Sequence, residues 1–191
     1  NKAGLVSGHA YGKALRTVKT CVGSEWCRFG VQNSTKLGIE LEKMCWGSWT
    51  PHKVKLAVSG CPRNCAEATI KDFGVVAVDS GWELHVGGNG GVKVRATDLL
   101  CKVKTDVEVM EYCGAYLQLY REEARYLERT APWLERVGLT YVKQRVVDDA
   151  SGRQALYARF LESQRYAQTD PWAERAQGTD RHEFEPLVQV G

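Results

Sequence analysis

Four cysteines in two close pairs constrain this chain more than any other feature of its sequence. Five residues separate Cys21 from Cys27, and three separate Cys61 from Cys65. Because proline is preorganised for the first position of a helix, we expect Pro62 to open a helix that Cys61 caps. Cys65 would then lie one turn further, on the same face. The free N–H groups and positive dipole end of such a helix would suit a thiolate-bound, anionic centre.

Two kinds of metal centre fit four thiolates in two pairs, a zinc ion and a 4Fe-4S cluster. Zinc ribbons favour shorter pairs with two intervening residues, so the wider spacing here favours the larger cluster. Cysteines that are merely small buried apolar residues are the simplest alternative. The pattern therefore favours an iron–sulfur cluster, with zinc as the second hypothesis, on four ligands: Cys21, Cys27, Cys61 and Cys65.

The other cysteines and the histidines do not share this spacing. Cys113 falls on an apolar stripe typical of a buried helix face, while Cys45 and Cys101 have no partner at ligand spacing. An isolated histidine is more commonly structural than metal-binding. We therefore expect structural or surface roles for all four histidines, which are His9, His52, His85 and His182.

Composition and length are those of a globular protein with one core and a smaller appendage. The chain has 191 residues, of which 43% are hydrophobic and 26% charged. A formal net charge of +3 is too small to indicate nucleic-acid binding. Neither an apolar run long enough to span a membrane nor a signal peptide is visible, so we expect a cytoplasmic protein whose thiols are free or metal-bound. Because the first residue is Asn1, we also expect a fragment or a processed product.

Hydrophobic periodicity divides the chain into three stretches, 1–104, 105–165 and 166–191. In the first stretch, Leu37, Leu41 and Met44 at helical spacing predict a helix that ends near Met44 or Cys45. Alternation over 54–58 predicts a strand that leads into Cys61. A short helix is expected after Cys65, followed by strands at 74–79, 82–87 and 92–95, the first two joined by a tight turn at Ser80-Gly81.

The second stretch is predicted to be helical. Thr105 and Glu108 form a capping box that starts a long helix, Pro132 ends or restarts it, and Gly138 closes a short one. A further helix is expected around Leu156 and Phe160. The apolar stripe of the long helix consists of Met110, Cys113, Leu117, Tyr120, Ala124 and Leu127. Periodicity vanishes beyond about Tyr166, so the third stretch is predicted to be a tail.

Several segments together resemble the signature of the nitrite and sulfite reductase family, whose members bind a 4Fe-4S cluster and a sirohaem. They are Thr20-Cys21, Cys27, Ser59-Gly60-Cys61-Pro62-Arg63-Asn64-Cys65 and Gly87-Gly88-Asn89. Within this family, segments 9–13, 15–19 and 130–133 are most similar to the C-terminal, sirohaem-binding region of the large subunit of bacterial NAD(P)H-dependent assimilatory nitrite reductases. The resemblance extends to about Phe160.

The resemblance implies an α+β fold, a mixed sheet flanked by helices, with a helical C-terminal extension. It implies that the four paired cysteines bind the cluster, and that Cys65 also bridges to the sirohaem iron as the catalytic ligand. Arg63, Asn64 and Asn89 are implied as cofactor-binding residues. The implied reaction is the six-electron reduction of nitrite to ammonium. FAD, another iron–sulfur centre, a pseudo-symmetric half and a small subunit are expected outside this chain, which should not be active alone.

Some assignments stay open at the level of sequence. Arg63 either pairs with an anionic group of the centre or is a solvated surface residue, and the same ambiguity applies to Arg16, Lys19 and Arg28. The segment 87–91 is either a hairpin loop or a close approach of the backbone to a cofactor. Two alternative functions also remain, a zinc-stabilised binding module and a fragment of a sulfite reductase haemoprotein.

Overall fold

A five-stranded mixed sheet organises the first half of the chain in the computed structural model, which describes residues 12–168 and 171–178. The strands lie across the sheet in chain order. The first three run parallel, and the last two pair antiparallel with their neighbours. They are β1 (Leu15–Thr20), β2 (Val54–Ser59), β3 (Phe73–Val78), β4 (Gly81–Val86) and β5 (Asp98–Val103). The predicted strand before Cys61 and the predicted hairpin are confirmed.

Two helices lie between β1 and β2 and the others follow β5, which confirms the predicted α+β class. They are α1 (Gly23–Trp26), α2 (Ser34–Cys45), α3 (Asp106–Glu123), α4 (Thr130–Val137), α5 (Leu139–Lys143), α6 (Ala150–Ala167) and α7 (Pro171–Gln177), with a 3-10 turn at Ala68–Ile70 and a π turn at Gln144–Asp148. The predicted capping box is present, since the Thr105 hydroxyl accepts from the Glu108 N–H and the Glu108 carboxylate accepts from the Thr105 N–H. Gly138 ends α4 as predicted.

The main core lies between one face of the sheet and the helices α2, α3, α4 and α6. Helix α2 packs on β1 and β2, and α3 packs against α6. Aromatic rings join the sheet to the helices: the Tyr116 ring lies 5.8 Å from that of Phe73 and 5.7 Å from that of Trp133. Such rings contribute most of the buried apolar area in a core of this size.

A buried ion pair ties β3 to the start of α4. Asp72 is 0% exposed. Both of its carboxylate oxygens accept from Arg129 Nη2, at 2.9 and 3.1 Å, and one of them also accepts from the Lys55 N–H at 2.8 Å. The Thr130 hydroxyl donates to the same carboxylate. Removal of either Asp72 or Arg129 would leave the other charge buried and unpaired. The pair therefore stabilises a single arrangement of β3 and α4.

The opposite face of the sheet is covered by the segment that follows β2. Ala66 and Ala68 pack there on Ala57 and Val76, with Cys21 at the edge of this small cluster. Residues 60–72 therefore lie flat on the sheet. Their position matters for function because Cys61 and Cys65 belong to this segment.

Several predicted elements differ from the structure. No helix opens at Pro62; two successive turns follow, because Asn64 and Glu67 have positive φ angles of 56° and 59°. The predicted strand at 92–95 is a loop with Val92 fully exposed, and the strand lies instead at β5.

The long helix is shorter than its apolar stripe indicates. It ends at Glu123, so Ala124 only caps it, and Leu127 lies beyond it, 53% exposed and with a φ of 64°. The Leu127 N–H instead donates to the Pro51 carbonyl at 3.1 Å. Pro132 lies in the first turn of α4, which confirms that the helix restarts there. Within the predicted tail, residues 171–177 form α7, and the assignment of 166–191 as a tail stays a prediction.

His9, His182 and most of the segment 9–13 lie outside the described residues. Within the described part of the chain, no helix is both long and apolar enough to cross a membrane.

Candidate metal centre

The carboxyl ends of β1 and β2 bring the two cysteine pairs to the same edge of the sheet. Cys21 directly follows β1, and Cys61 follows β2 after one residue. The two strands are parallel, with Thr20 opposite Val58, so both chains leave the sheet side by side. The Cys21 N–H continues the ladder by donating to the Val58 carbonyl at 3.3 Å. The pairs, which are far apart in sequence, are thus neighbours in the fold.

The Cys21 sulfur lies among hydrogen-bonding groups that favour its thiolate. It accepts from the Gly60 N–H at 3.0 Å, and the Ser34 hydroxyl lies 3.3 Å away. Burial raises the pKa of Cys21, but hydrogen bonds from Ser34 and from the backbone of Gly60 and Gly23 outweigh it and leave the pKa below its usual value. Metal binding requires the deprotonated form, so this environment fits a thiolate ligand.

The loops that carry the two pairs are joined by their backbones. The Gly60 carbonyl accepts from the Val31 N–H at 2.8 Å and from the Gln32 N–H at 3.3 Å. Gly60 has no room for a side chain, because a Cβ atom there would lie 2.7 Å from the Gly23 Cα. Movement of one loop is therefore coupled to the other.

Asn64 fixes the turn between Cys61 and Cys65. Its side-chain oxygen accepts from the Ala68 N–H at 2.7 Å and from the Ser59 hydroxyl at 3.1 Å. Its amide nitrogen donates to the Thr69 hydroxyl at 2.6 Å. Asparagine also tolerates the positive φ that this turn requires. These hydrogen bonds give Asn64 a positioning role within the protein, which the sequence did not indicate.

The four paired thiols differ in exposure. Cys61 is buried, Cys21 and Cys27 are half-buried and Cys65 is exposed. In the part of the chain that the structure describes, no three His, Cys, Asp or Glu side chains are gathered closely enough to hold a single metal ion. A 4Fe-4S cluster spreads its four thiolates over separate iron atoms and needs a wider arrangement. Four thiolates in two pairs are a donor set that such a cluster takes.

The basic residues near the cysteines have different partners. The guanidinium groups of Arg28 and Arg63 lie 4.5 and 3.8 Å from the centroid of the Phe29 ring. Lys19 pairs with Glu67 at 2.9 Å. The predicted roles of Arg63 and of Arg16, Lys19 and Arg28 toward an anionic group stay predictions.

Asn89 folds its own loop. Its side-chain nitrogen donates to the Lys93 carbonyl at 2.7 Å, and its backbone pairs with that of Arg95 in both directions at 2.9 Å. The Arg95 guanidinium in turn donates to the Gly87 carbonyl at 2.7 Å. The glycine-rich segment is thus a closed loop, and a cofactor contact at Asn89 stays a prediction.

The remaining cysteines and two of the histidines occupy structural positions. Cys45 and Cys113 are fully buried in the main core, and burial raises the pKa of Cys113 well above its usual value. Burial also raises the pKa of Cys101, to about 11. His52 and His85 have pKa values lowered by burial, as expected of neutral imidazoles.

Two contributors to the site were missed from sequence. Ser34 contacts Cys21 from the start of α2, and the only available signal was the cap-forming pair Asn33-Ser34. Trp26 and Phe29 project from the first cysteine loop, 77% and 41% exposed. Two aromatic residues around Cys27, a predicted ligand, are a signal that could have been noticed.

Comparison with known proteins agrees with this arrangement. Residues 11–154 match the model of the nitrite and sulphite reductase 4Fe-4S domain. The chain is 60% identical over 186 residues to a nitrite reductase [NAD(P)H] of Bacillus subtilis, covering 96% of this chain and 23% of that protein. It is 46% identical over 175 residues to the nitrite reductase (NADH) large subunit of Escherichia coli, covering 91% and 21%.

A solved structure supports the fold. The crystal structure of dissimilatory sulfite reductase I superposes with a TM-score of 0.61 at 17% sequence identity, over 72% of this chain and 53% of that one. The chain itself spans only about a fifth of the length of the two curated relatives. Since the family model covers most of the sequence, the chain belongs to the nitrite and sulphite reductase 4Fe-4S domain family.

Proposed function

We propose that this chain carries the catalytic centre of an NAD(P)H-dependent nitrite reductase, an enzyme that reduces nitrite to ammonium. The observation that supports this most directly is the 60% identity, over 96% of the chain, to a protein named as a nitrite reductase that uses NAD(P)H. The arrangement of the two thiol pairs at one sheet edge supports the same reading.

In this proposal Cys21, Cys27, Cys61 and Cys65 would hold the cluster, and Cys65 would also hold a sirohaem. When bound, the two groups supply stored single electrons and an iron that binds and reduces the substrate. The exposure of Cys65 agrees with its double role, because an exposed thiol can contact a group beyond the loop. Arg63 and Asn89 are proposed to contact the macrocycle from the segments on either side of β3 and β4.

The chain's own residues prepare these ligands. Gly60 and Ser34 stabilise the thiolate at Cys21 by hydrogen bonding, and Asn64 holds the turn that spaces Cys61 from Cys65. Such outer contacts orient ligands and adjust their basicity. Cys113 belongs to the main core cluster, whereas Cys61 does not.

The rest of the enzyme is proposed to lie outside this chain. Electrons would come from NAD(P)H through FAD and another iron–sulfur centre, and a pseudo-symmetric half and a small subunit would complete the assembly. We also propose a location in the cytoplasm, which agrees with the finding that all seven cysteines are free thiols. We further propose that the chain forms the C-terminal region of a bacterial large subunit.

Sulfite is the competing substrate, because the family includes enzymes for both anions. The relatives at 60% and 46% identity both carry the name nitrite reductase, whereas the likeness to the sulfite reductase structure concerns the fold alone. The proposal therefore favours nitrite.

The test uses the full-length enzyme purified without oxygen. Iron and acid-labile sulfide analysis, together with an absorption spectrum, should show a 4Fe-4S cluster and a sirohaem. Oxidation of NAD(P)H should depend on nitrite and yield ammonium, with a higher kcat/KM for nitrite than for sulfite. A colourless protein with stoichiometric zinc would contradict the proposal, and a preference for sulfite would replace the substrate.

A further inference from the structure

The first cysteine loop presents an unusual apolar surface to solvent. Four large apolar side chains lie between residues 22 and 31, and their exposed fractions are 54% for Val22, 77% for Trp26, 41% for Phe29 and 38% for Val31. Solvent-exposed tryptophan is uncommon in a folded domain, and apolar side chains clustered in one loop mark a contact surface more commonly than a tolerated exposure. We call this cluster the Trp26 surface.

Two arginines without acidic partners lie on the Trp26 surface. Arg28 and Arg63 stack on the ring of Phe29, and no ion pair of the described residues involves either one. Most other arginines of the described chain are paired with a carboxylate, namely Arg95, Arg129, Arg136, Arg153, Arg159 and Arg165. The surface thus combines exposed aromatic residues with two arginines that form no ion pair, against one exposed acid, Glu25, in the same loop. Tryptophan, phenylalanine and arginine are enriched at protein interfaces, and tryptophan and arginine dominate their binding energy.

We propose that the Trp26 surface is the docking site for the acidic face of the electron-donating domain that supplies the metal centre. This inference rests on the proposed function. The surface is built on the segment that contains Cys21 and Cys27, so a donor bound there would lie beside two of the proposed cluster ligands. The unpaired arginines select an anionic partner.

The part of the enzyme that is proposed to lie outside this chain indicates which partner binds the Trp26 surface. The chain spans 23% and 21% of its two curated relatives, which are named for NAD(P)H or NADH, so the remainder must hold the nicotinamide-linked donor. The transfer moves a single electron from the donor, which is oxidised, to the centre held by the four thiols, which is reduced. No bond forms or breaks in this step. Electron transfer requires close approach, so the donor must dock near the cluster ligands.

The first experiment compares two electron sources in the full-length enzyme carrying Trp26→Ala. NAD(P)H delivers electrons through the donor domain, whereas reduced methyl viologen is small enough to reach the centre without docking. Trp26→Ala should lower NAD(P)H-driven nitrite reduction at least about tenfold, as expected for truncation of an interface tryptophan. Viologen-driven nitrite reduction and the cluster and sirohaem content should match wild type. Tyr166→Ala, at a position 76% exposed near the end of α6, is the matched control and should change neither rate.

Charge is tested at the same position. If the partner is acidic, Trp26→Glu should lower NAD(P)H-driven turnover more than Trp26→Lys does, and added salt should narrow the difference. The same two replacements at Tyr166 should give equal rates. Equal rates for Trp26→Glu and Trp26→Lys would overturn the charge assignment of the partner.

Contact is measured directly, without turnover. Replacement of Trp26 by the photoreactive residue p-benzoylphenylalanine in the full-length enzyme should give crosslinks to acidic peptides of the donor domain, identified by mass spectrometry. The same replacement at Tyr166 should not. Crosslinks to a second copy of this chain, or to the pseudo-symmetric half, would overturn the proposal.

The results distinguish a failure of the proposed function from a failure of the docking inference. Wild-type enzyme that fails to reduce nitrite even with methyl viologen would contradict the proposed function. Wild-type activity with both donors, combined with NAD(P)H-driven rates unchanged in Trp26→Ala, would contradict only the docking inference. Equal loss with both donors would assign Trp26 to structural cover of the centre and overturn the docking role.

Discussion

The seven cysteines divide between two regions of one small molecule, and the environments of the two sets are opposite. In the loops at the ends of β1 and β2, the Cys21 sulfur meets a backbone N–H and a hydroxyl, Cys65 reaches solvent, and Cys61 is buried outside the main core. The thiols of the core meet apolar side chains and one another. Burial raises the pKa of Cys113 well above its usual value, and the neighbouring Cys45 raises it further.

The contrast shows that position on the sheet determines what a cysteine can do here. At the carboxyl ends of parallel strands the chain turns, and its N–H groups have no ladder partner, so they are free to stabilise a thiolate. Inside the core, a thiolate would have no such donor, and the thiol is a small apolar group. If position decides the role of a cysteine, replacement of a loop thiol should affect function far more than replacement of a core thiol.

Replacement of a loop thiol should abolish function. In the full-length enzyme, Cys65→Ser replaces a soft sulfur, proposed to hold both the cluster and sirohaem, with a harder oxygen, so the cluster should become labile and its coupling to sirohaem should be lost. Nitrite turnover should fall by at least about 100-fold, since even outer-shell substitutions at metal sites cost up to that much. Reduction of an artificial acceptor at the flavin should continue. Normal nitrite turnover with intact coupling would refute the assignment of Cys65.

The geometry of the loop thiols should depend on hydrogen bonds rather than on packing. Asn64→Ala removes the amide contacts to Ala68, Ser59 and Thr69. It also places alanine at a positive φ, which alanine tolerates less well than asparagine does. We expect a loss of about 3 kcal/mol in the free energy of unfolding, measured in urea, and about 2 kcal/mol for Asn64→Gly, which tolerates the backbone angle.

Asn89→Ala is the control for Asn64, because the Asn89 amide donates only to the Lys93 carbonyl in an exposed loop. Its cost should be below about 1 kcal/mol. Equal costs at Asn64 and Asn89 would show that the turn between Cys61 and Cys65 is not held by the Asn64 side chain.

Alkylation should distinguish the two sets of thiols by pH. Burial raises the pKa of Cys101 to about 11, so at pH 8 very little of it is thiolate. Since the thiolate is the reactive form, its rate with iodoacetamide should rise about tenfold per pH unit from pH 8 to 10. The exposed Cys65 of cluster-free protein should react fastest at pH 8. Peptide mass spectrometry reports each rate, and a Cys101 rate that levels off near pH 9 would contradict the high pKa.

Much of the fold followed from local sequence patterns. The capping box at Thr105 placed the start of α3, and the alternation before Cys61 placed β2, because both signals involve residues that are adjacent in the element itself. The hairpin at Ser80-Gly81 was equally local. Elements whose bounds depend on contacts between residues distant in sequence were predicted at the wrong positions. The end of α3 is one, since the following chain is held by the Pro51 carbonyl and by Tyr120, whose hydroxyl donates to the Glu128 carbonyl at 2.5 Å.

The sequence singled out four candidate ligands but not the groups that surround them. Spacing singled out the two cysteine pairs, yet the donors to Cys21 come from Ser34 and Gly60, which only the strand order brings together. The helix expected at Pro62 does not form because the Asn64 side chain satisfies the backbone and hydroxyl groups of a tighter turn instead. The Asn64 side chain competes with the backbone for hydrogen bonds to residues that are close in sequence. The outcome also depends on the sheet that the turn covers.

The smallest effect concerns the core. Cys113→Ala removes one buried sulfur beside Cys45 and leaves a small cavity, for which we expect a loss of about 1 kcal/mol in the free energy of unfolding. Cluster content, sirohaem content and nitrite turnover of the full-length enzyme should remain near wild type, because Cys113 lies in the main core, away from the cysteine loops. Urea unfolding and iron analysis of the same preparation measure both properties. If Cys113→Ala instead lost iron in proportion to Cys65→Ser, the core thiols would share in metal binding, and the division between the two regions would fail.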